Sequence, residues 1–297
     1  MSAIQFDADT PVRTARKATK YRDHTIRYYI KSLRERDVIR PVALVNVFAL
    51  GLSLYLVYLS LAADKSRTKD NILKHLNDSN RVAWIAELGG NFQYGMSMVA
   101  ESVGQLVNVL DELSARYGGA FHTKSIAVMA SFLFFRKKYL APRLMPDDTI
   151  LYSDTDTVRK LDDVDRAILS NLFQSEYGSH REMARQLGIP RSTIEYRLRK
   201  LRCDGVIVGA VHFISARKIK VHVFKLLIYM RGIGRKQRKA LIEFACVHPN
   251  IVNALHCIGN WDLEFTVEVA DSYEITALTQ LLYLSLIHIS EPTRLHC

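Results

Sequence analysis

Apolar residues recur at helical spacing through the second half of the chain. Val164, Ile168, Leu169 and Leu172 share one face and predict a helix over Val164–Gln174, with Asp162 or Asp163 placed to cap it. Ser179 opens a shorter helix through Leu187, and Gly188-Ile189-Pro190 makes a tight break. Ile194, Leu198 and Leu201 then set the inward face of a third helix over Arg191–Cys203, closed by Asp204-Gly205. Val206–Ile214 looks like a β-wing. Beyond it the pattern predicts a strand (Val221–Met230), a helix (Lys236–His248), two strands (Ile251–Cys257 and Leu263–Val269) and a helix (Tyr273–Tyr283). That order, βαββα, is one strand short of a split βαβ unit.

The first half repeats this pattern. Thr25–Ile39, TIRYYIKSLRERDVI, overlies Thr193–Ile207, TIEYRLRKLRCDGVI, at an offset of 168 with seven identities in 15 positions. Arg13 and Lys17 fall on Arg181 and Arg185, and Gly90-Asn91-Phe92 falls on Gly259-Asn260-Trp261 at an offset of 169. A period this long is duplication of a whole two-domain block rather than a solenoid unit. The first copy supplies what the second lacks: after a helix over Val103–Tyr117 comes Lys124–Phe135, a good fourth strand. Pro142–Lys160, with two prolines and several aspartates, reads as a polar linker between the copies.

One segment admits a different reading. Pro41–Ala63 runs for 23 residues without a charge, enough for a membrane span, and would make the chain a membrane-tethered sensor. Its copy, GAVHFISARKIKVHVFKLLIYM, carries Arg217, Lys218, Lys220 and Lys225, which are costly in a bilayer. Homologous halves share a fold, so the segment is read as two strands broken at Leu50-Gly51, with no membrane partner.

Composition narrows the function classes. A hydrophobic fraction of 48% and charged fraction of 24% exclude wholesale disorder, and a length of 297 residues favours more than one domain. The net charge of +11 points to a polyanionic partner. Cys203, Cys246, Cys257 and Cys297 are too sparse for a disulfide scaffold and lack zinc-site spacing, so free thiols and a cytoplasmic location are expected. The N-terminus has no apolar signal region.

Two helices, a three-residue turn between them and a following wing predict a helix-turn-helix whose last helix enters the major groove of double-stranded DNA. On that helix Arg191, Ser192, Thr193, Glu195, Tyr196 and Arg199 are the candidate contacts. Arg reaches phosphates and guanine edges, Ser, Thr and Tyr bond phosphates, and Glu can accept from cytosine. Their counterparts in the first copy are Arg22, Thr25, Arg27, Tyr28 and Lys31. That stretch is the more basic, with ten Lys and Arg against three acids over Thr10–Arg40.

LDDVDRAILSNLFQSEYGSHREMARQLGIPRSTIEYRLRKLRCDGVIVGAVHFI resembles the winged helix-turn-helix of the Lrp/AsnC (feast/famine) transcription regulators, and the stretch after it is similar to that family's effector domain. The resemblance covers nearly all of the chain up to Tyr283, in two copies. It implies an α+β protein: two copies of a winged helix-turn-helix followed by a ferredoxin-like βαββαβ domain. The first copy lacks most of helix 1 and the second lacks its last strand. The domains expected are 1–45, 46–141, a linker over 142–160, then 161–213 and 214–284. The resemblance also implies a transcription regulator modulated by an amino acid or similar effector, with no cofactor. Two tandem units either imitate a homodimer within one chain, a pseudodimer, or assemble further as a homo-oligomer.

In that family a Gly-x-x-Asp stretch contributes to the ligand site. The second copy keeps it as Gly259, Asn260, Trp261 and Asp262; a glycine admits close approach of a small ligand, and Asp can pair with an α-ammonium group. A short turn between strands calls for the same residues without any ligand. The first copy has Gly90 but replaces the Asp with Gln93, losing the charge partner. Its helix-turn-helix turn also departs, with Lys20-Tyr21-Arg22 for Gly188-Ile189-Pro190. A left-handed Lys20 is expected to be strained, whereas Asp37 in place of Gly205 is a milder change.

An enzyme reading has one route. Siroheme decarboxylases share the regulator-like fold and pair two such units, but show a His-Asn-Tyr stretch and an Asn-Leu-Trp-Phe-Thr-like strand. The corresponding residues here are Asn253-Ala254-Leu255-His256-Cys257 and Asn260-Trp261-Asp262-Leu263. No other acid/base pair, nucleophile or phosphate loop appears, so catalysis is not expected. Finally, residues 285–297 are expected to be foreign to the fold: SLIHISEPTR looks like translated sequencing-adapter read-through, and Glu291-Pro292 breaks any strand after Ile289.

Overall fold

The structure is a computed structural model of the 297-residue chain, describing all residues except 62–65, 118–120, 142–148, 154–156, 175–179, 231–233, 284–287, 290–292 and 297. The first copy runs α1 (Pro11–Ala18), α2 (Asp23–Glu35), β1 (Ile39–Val45), β2 (Ser53–Leu61), α3 (Ser66–Asn77), β3 (Val82–Gly89), β4 (Tyr94–Ala100), α4 (Val103–Tyr117) and β5 (Phe121–Phe135). A short strand, β6 (Thr149–Ser153), lies within the stretch expected to be only linker. The second copy runs α5 (Asp163–Gln174), α6 (His180–Leu187), α7 (Arg191–Cys203), β7 (Ile207–Ile214), β8 (His222–Tyr229), α8 (Arg235–Val247), β9 (Ile251–Gly259), β10 (Leu263–Val269) and α9 (Glu274–Tyr283). Two short strands come last, β11 (His288–Ile289) and β12 (Thr293–His296). Ser179, expected to open α6, lies outside the described residues, as does Cys297.

These elements form two compact units that each draw on both copies: Met1–Leu50 with Phe135–Ile219, and Gly51–Phe134 with Lys220–Cys297. The uncharged segment from Pro41 is strand β1, a short 3-10 turn (Val47–Leu50) and strand β2. Among the described residues no helix is long and apolar enough to cross a membrane.

In the first unit the two wings pair with each other. Strands β1 and β7 run antiparallel from Ile39 opposite Ile214 to Val45 opposite Ile207, with an irregularity at Leu44/Val45. Each helical core therefore includes the other copy's wing. Ile168, Leu169, Leu172, Met183, Ile194, Leu198 and Leu201 pack with Ala43 and Val45, while Ile4, Ile26, Ile30 and Ile39 pack with Ile214. Ahead of α1 the first copy has a 3-10 turn over Ser2–Ile4, held by Arg136 Nη1 donating to the Ser2 carbonyl at 2.9 Å.

His212 on β7 is completely buried. Its Nδ1 lies 2.9 Å from the Ile4 carbonyl oxygen and its Nε2 lies 3.2 Å from Arg34 Nη2, so the neutral ring donates on one side and accepts on the other. Burial is the main reason that its pKa falls below the ordinary value; the bond to Ile4 opposes this, Arg34 adds to it and Asp7 opposes it. As pH drops through ~6.5, the unfolded chain takes up a proton that the folded ring resists, so stability declines on the acid side. His248 and His256 shift in the same direction through burial. Melting temperatures measured between pH 7.5 and 5.5 should fall less for His212→Asn, whose amide can replace the bond to Ile4, than for the unchanged chain. Identical pH dependence in both would remove His212 from the account.

The second unit is a closed sheet. Strand order runs β10-β9-β5-β2-β4-β3-β12-β8, and β8 pairs back onto β10. Each copy contributes a four-strand βαββαβ set, and the two sets join where β5 meets β9 and β12 meets β3. The fourth-strand place of the second copy is taken by β11 and β12, short pieces lying along β8, where the first copy has the longer β5, paired with β2 over Phe121–Met129. Alternation decides the faces. Tyr55, Val57, Leu59, Met96 and Met98 pack outward against Ile72 and Leu76 of α3 and Leu106 and Leu113 of α4. Tyr58, Lys225 and Glu264 are buried on the inner face, with Lys225 Nζ 2.7 Å from Glu264 Oε1 and 5.2 Å from the Trp84 ring centroid. Burial, and next the Glu264 charge, push the Tyr58 phenol well up. At the 169-residue offset the first copy has Leu56 and Gly95 in place of Lys225 and Glu264.

Candidate nucleic-acid interface

The second helix-turn-helix is built by local rules. Asp162 Oδ1 accepts from the Asp165 N–H at 2.9 Å, capping α5, so of the two expected caps Asp162 takes the role. Gly188 ends α6 at a φ of 66° while the Ile189 N–H returns to the Ala184 carbonyl at 3.1 Å. Gly205 does the same for α7 at a φ of 70°, with the Val206 N–H on the Leu201 carbonyl at 2.9 Å. With Ile194, Leu198 and Leu201 buried, the opposite face of α7 is fixed: Arg191, Ser192, Tyr196 and Arg199 are exposed, Thr193 and Glu195 half-buried.

Ion pairs divide the basic residues of this head. Arg191 Nε donates to Glu195 Oε1 at 2.7 Å, and this bond above all holds the Glu195 carboxyl below its ordinary range; His180 Nδ1 stands 3.6 Å away on the same oxygen. Arg197 Nη1 donates to Asp162 Oδ2 at 2.5 Å and lies 3.3 Å from the buried Asp165 Oδ1. It ties α7 to the start of α5 rather than facing a partner. The helical period placed Arg197 beside the inward face, but nothing in the sequence identified its carboxylates.

The first head differs. Asp37 stands in the left-handed region at a φ of 53°, as its place opposite Gly205 requires. Lys20 does not: the link from α1 to α2 avoids that region, with Thr19 and Arg22 extended, so the expected strain is absent. The four-residue link takes a different path from Gly188-Ile189-Pro190. On α2, Tyr28 is exposed, as is Arg22 just before it, and Thr25 is half-buried. Arg27 and Lys31 line a groove of about 1050 Å³ together with residues of α1 and, from the second copy, His180 and Arg202.

Residues 161–208 match the winged helix-turn-helix DNA-binding family. An uncharacterised HTH-type transcriptional regulator of Pyrococcus furiosus is 34% identical over 105 residues, covering 35% of this chain and 69% of the relative. The chain belongs to the Lrp/AsnC family of transcription regulators. Another uncharacterised HTH-type regulator, from Pyrococcus horikoshii, is 29% identical over 117 residues, covering 39% of this chain and 77% of the relative. The siroheme decarboxylase NirDL has the same fold at 11% identity, with a TM-score of 0.64 over 97% of this chain and 85% of that one.

The Lrp/AsnC-type turns expected to hold an effector carry structural duties of their own. Gly259 has a φ of 143°, and a Cβ there would stand 2.7 Å from the Ile126 carbonyl oxygen and 2.9 Å from Ala127 Cα, both backbone of β5. Close sheet packing therefore explains this glycine. Asn260 Nδ2 donates to Ser125 Oγ at 2.6 Å, and Asp262 Oδ2 accepts the Met230 N–H at 2.7 Å. In the first copy Gly90 is also left-handed, at 116°, and Gln93 closes the turn through its backbone, with its N–H on the Leu59 carbonyl at 3.0 Å. A pocket of about 350 Å³ flanks that turn, lined in part by Lys74, Asn77, Glu87 and Tyr94.

Proposed function

We propose that this Lrp/AsnC-type regulator reads duplex DNA with the exposed face of α7, and that a small amino-acid-like effector modulates it at the turn holding Asp262. The observation that carries the first part is the division of α7 into a buried apolar face and an exposed face of Arg191, Ser192, Tyr196 and Arg199. Arg191 is bonded to Glu195 in an exposed pair that a phosphate can displace, so Arg191, Tyr196 and Arg199 all have groups to offer a base edge or phosphate. The two copies, joined through their wings and through one closed sheet, stand in for the two subunits of a homodimer. The likeness to NirDL is one of fold, and supplies no catalytic residue.

Selection from random duplexes with the purified chain should enrich a motif, and Tyr196→Ala or Arg199→Ala should weaken binding to it by ~1–3 kcal/mol where the lost contact reads a base. Affinity should fall steeply with salt. Indifference to both substitutions would reject α7 as the reader.

For the effector, Asp262→Asn is the informative change: it keeps an oxygen for the Met230 N–H and removes the charge that an ammonium group needs. Common amino acids should raise the melting temperature of the unchanged chain, and Asp262→Asn should abolish the rise. If no amino acid shifts the unchanged chain, the effector reading of this turn fails.

A further inference from the structure

The groove between α1, α2 and the second head bears on how the first head meets DNA. A reader helix needs a free convex face to enter a major groove. The α2 residues Arg27 and Lys31 are exposed, but they open onto a groove whose other wall includes His180 and Arg202 of the second head. The first head also has a rerouted link between α1 and α2, four residues long where the second head has three.

The chemistry of the groove suits phosphate. Six cationic side chains line it: Arg13 and Arg16 from α1, Arg27, Lys31 and Arg34 from α2, and Arg202 from α7. Among the described residues, the lining carboxylates all meet cations: Asp9 meets Arg202 at 3.0 Å, Asp23 meets Arg16 at 3.6 Å and Glu35 meets Lys31 at 3.6 Å. Exposed ion pairs of this kind are weak, so a phosphate oxygen can replace the carboxylate at little cost. The groove is also continuous with the reader helix, since His180 lines it and stands 3.6 Å from Glu195 of α7.

We propose that the two heads divide the work: α7 reads bases, while the groove of the first head clamps the sugar-phosphate backbone of the same duplex without reading sequence. The proposal rests on the α7 reading. It implies that the motif enriched from random duplexes is a single half-site, not a repeated or inverted pair.

The test uses the full chain and its selected duplex. Replacing Arg13, Arg27 and Lys31 together with Gln should flatten the plot of log affinity against log salt by about 2–3, since each lost phosphate contact is worth ~0.9 in slope on duplex DNA. Affinity should fall by the same factor on the selected and on a scrambled duplex, leaving the preference between them unchanged. Arg27→Lys should keep both slope and preference, because a phosphate accepts any point charge whereas a guanine edge needs the guanidinium fork. Melting curves check the fold; should the triple variant unfold, Arg13→Gln and Arg27→Gln singly should each lower the slope by about 1. An unchanged slope overturns the clamp. So does a two-part motif, one half of which loses preference in Arg27→Lys, because the first head would then be a reader. Failure of the α7 reading has its own signature, Tyr196 and Arg199 variants that bind as the unchanged chain does. A chain with no salt-dependent duplex binding overturns both.

Discussion

Lys225→Met should be among the most damaging single substitutions in the second unit, costing about 3–5 kcal/mol in unfolding free energy. The ammonium group is 2.7 Å from Glu264 Oε1, and the two side chains are only 10% and 1% exposed. Removing the lysine leaves a fully buried carboxylate inside the closed sheet, beside Tyr58, without its counter-charge. The pair itself is not the source of the stability. Two buried charges pay much of their mutual attraction back in desolvation, so Lys225→Met combined with Glu264→Gln should be more stable than Lys225→Met alone. Denaturant midpoints with unchanged slopes measure both. A single variant within ~1 kcal/mol of the unchanged chain, or a double variant no better than the single, would show that the pair is not coupled. The first copy illustrates the apolar alternative, with Leu56 and Gly95 at the corresponding positions.

Gly259→Ala is expected to cost about 2–4 kcal/mol, combining ~1–3 for overpacking with at least ~1 for a backbone conformation that L residues rarely adopt. The added Cβ would meet the Ile126 carbonyl oxygen at 2.7 Å and Ala127 Cα at 2.9 Å. Both are backbone atoms of a strand paired on each side, so neither can swing away as a side chain would. Gly188→Ala is the control: its φ of 66° is also left-handed, but no atom lies within 4 Å of the new Cβ. It should lose only the conformational part, ~1–2 kcal/mol. Thermal or denaturant melting without any ligand compares the two. Equal losses would mean that packing against β5 contributes nothing, and would return Gly259 to a role in admitting a ligand.

Much of the second copy was legible from the sequence. The inward residues Ile194, Leu198 and Leu201, the ends of α7, the turn at Gly188 and the strand at Leu263–Val269 follow from periodicity and from glycine's backbone freedom. These are properties of residues within a turn or two of each other. The resemblance of two stretches 168 residues apart likewise pointed to a duplication, and with it to strands rather than a membrane helix over Pro41–Leu61. Asp37 was read correctly for the same local reason, since the chain must turn left-handed after α2 as it does after α7. Lys20 escapes the left-handed turn because a loop, unlike a helix end, has more than one way to join the same two elements.

Tertiary structure decided the rest. That β1 pairs with β7, that β5 of one copy lies against β9 of the other, and that Arg27 and Lys31 face a groove shared with the second head all depend on which edges and faces remain uncovered after each copy has folded. The same holds for Gly259, Arg197 and Lys225. Gly259 signals only that something comes close, and the backbone of Ile126 and Ala127, far earlier in the chain, proves to be what does. Arg197 and Lys225 are basic residues in sequence, yet their partners lie 35 and 39 positions away and place them in structural ion pairs. Hydrophobic period and backbone preference act between neighbours along the chain and can be read there. Partner choice is set by complementarity between surfaces that exist only once those neighbours have folded.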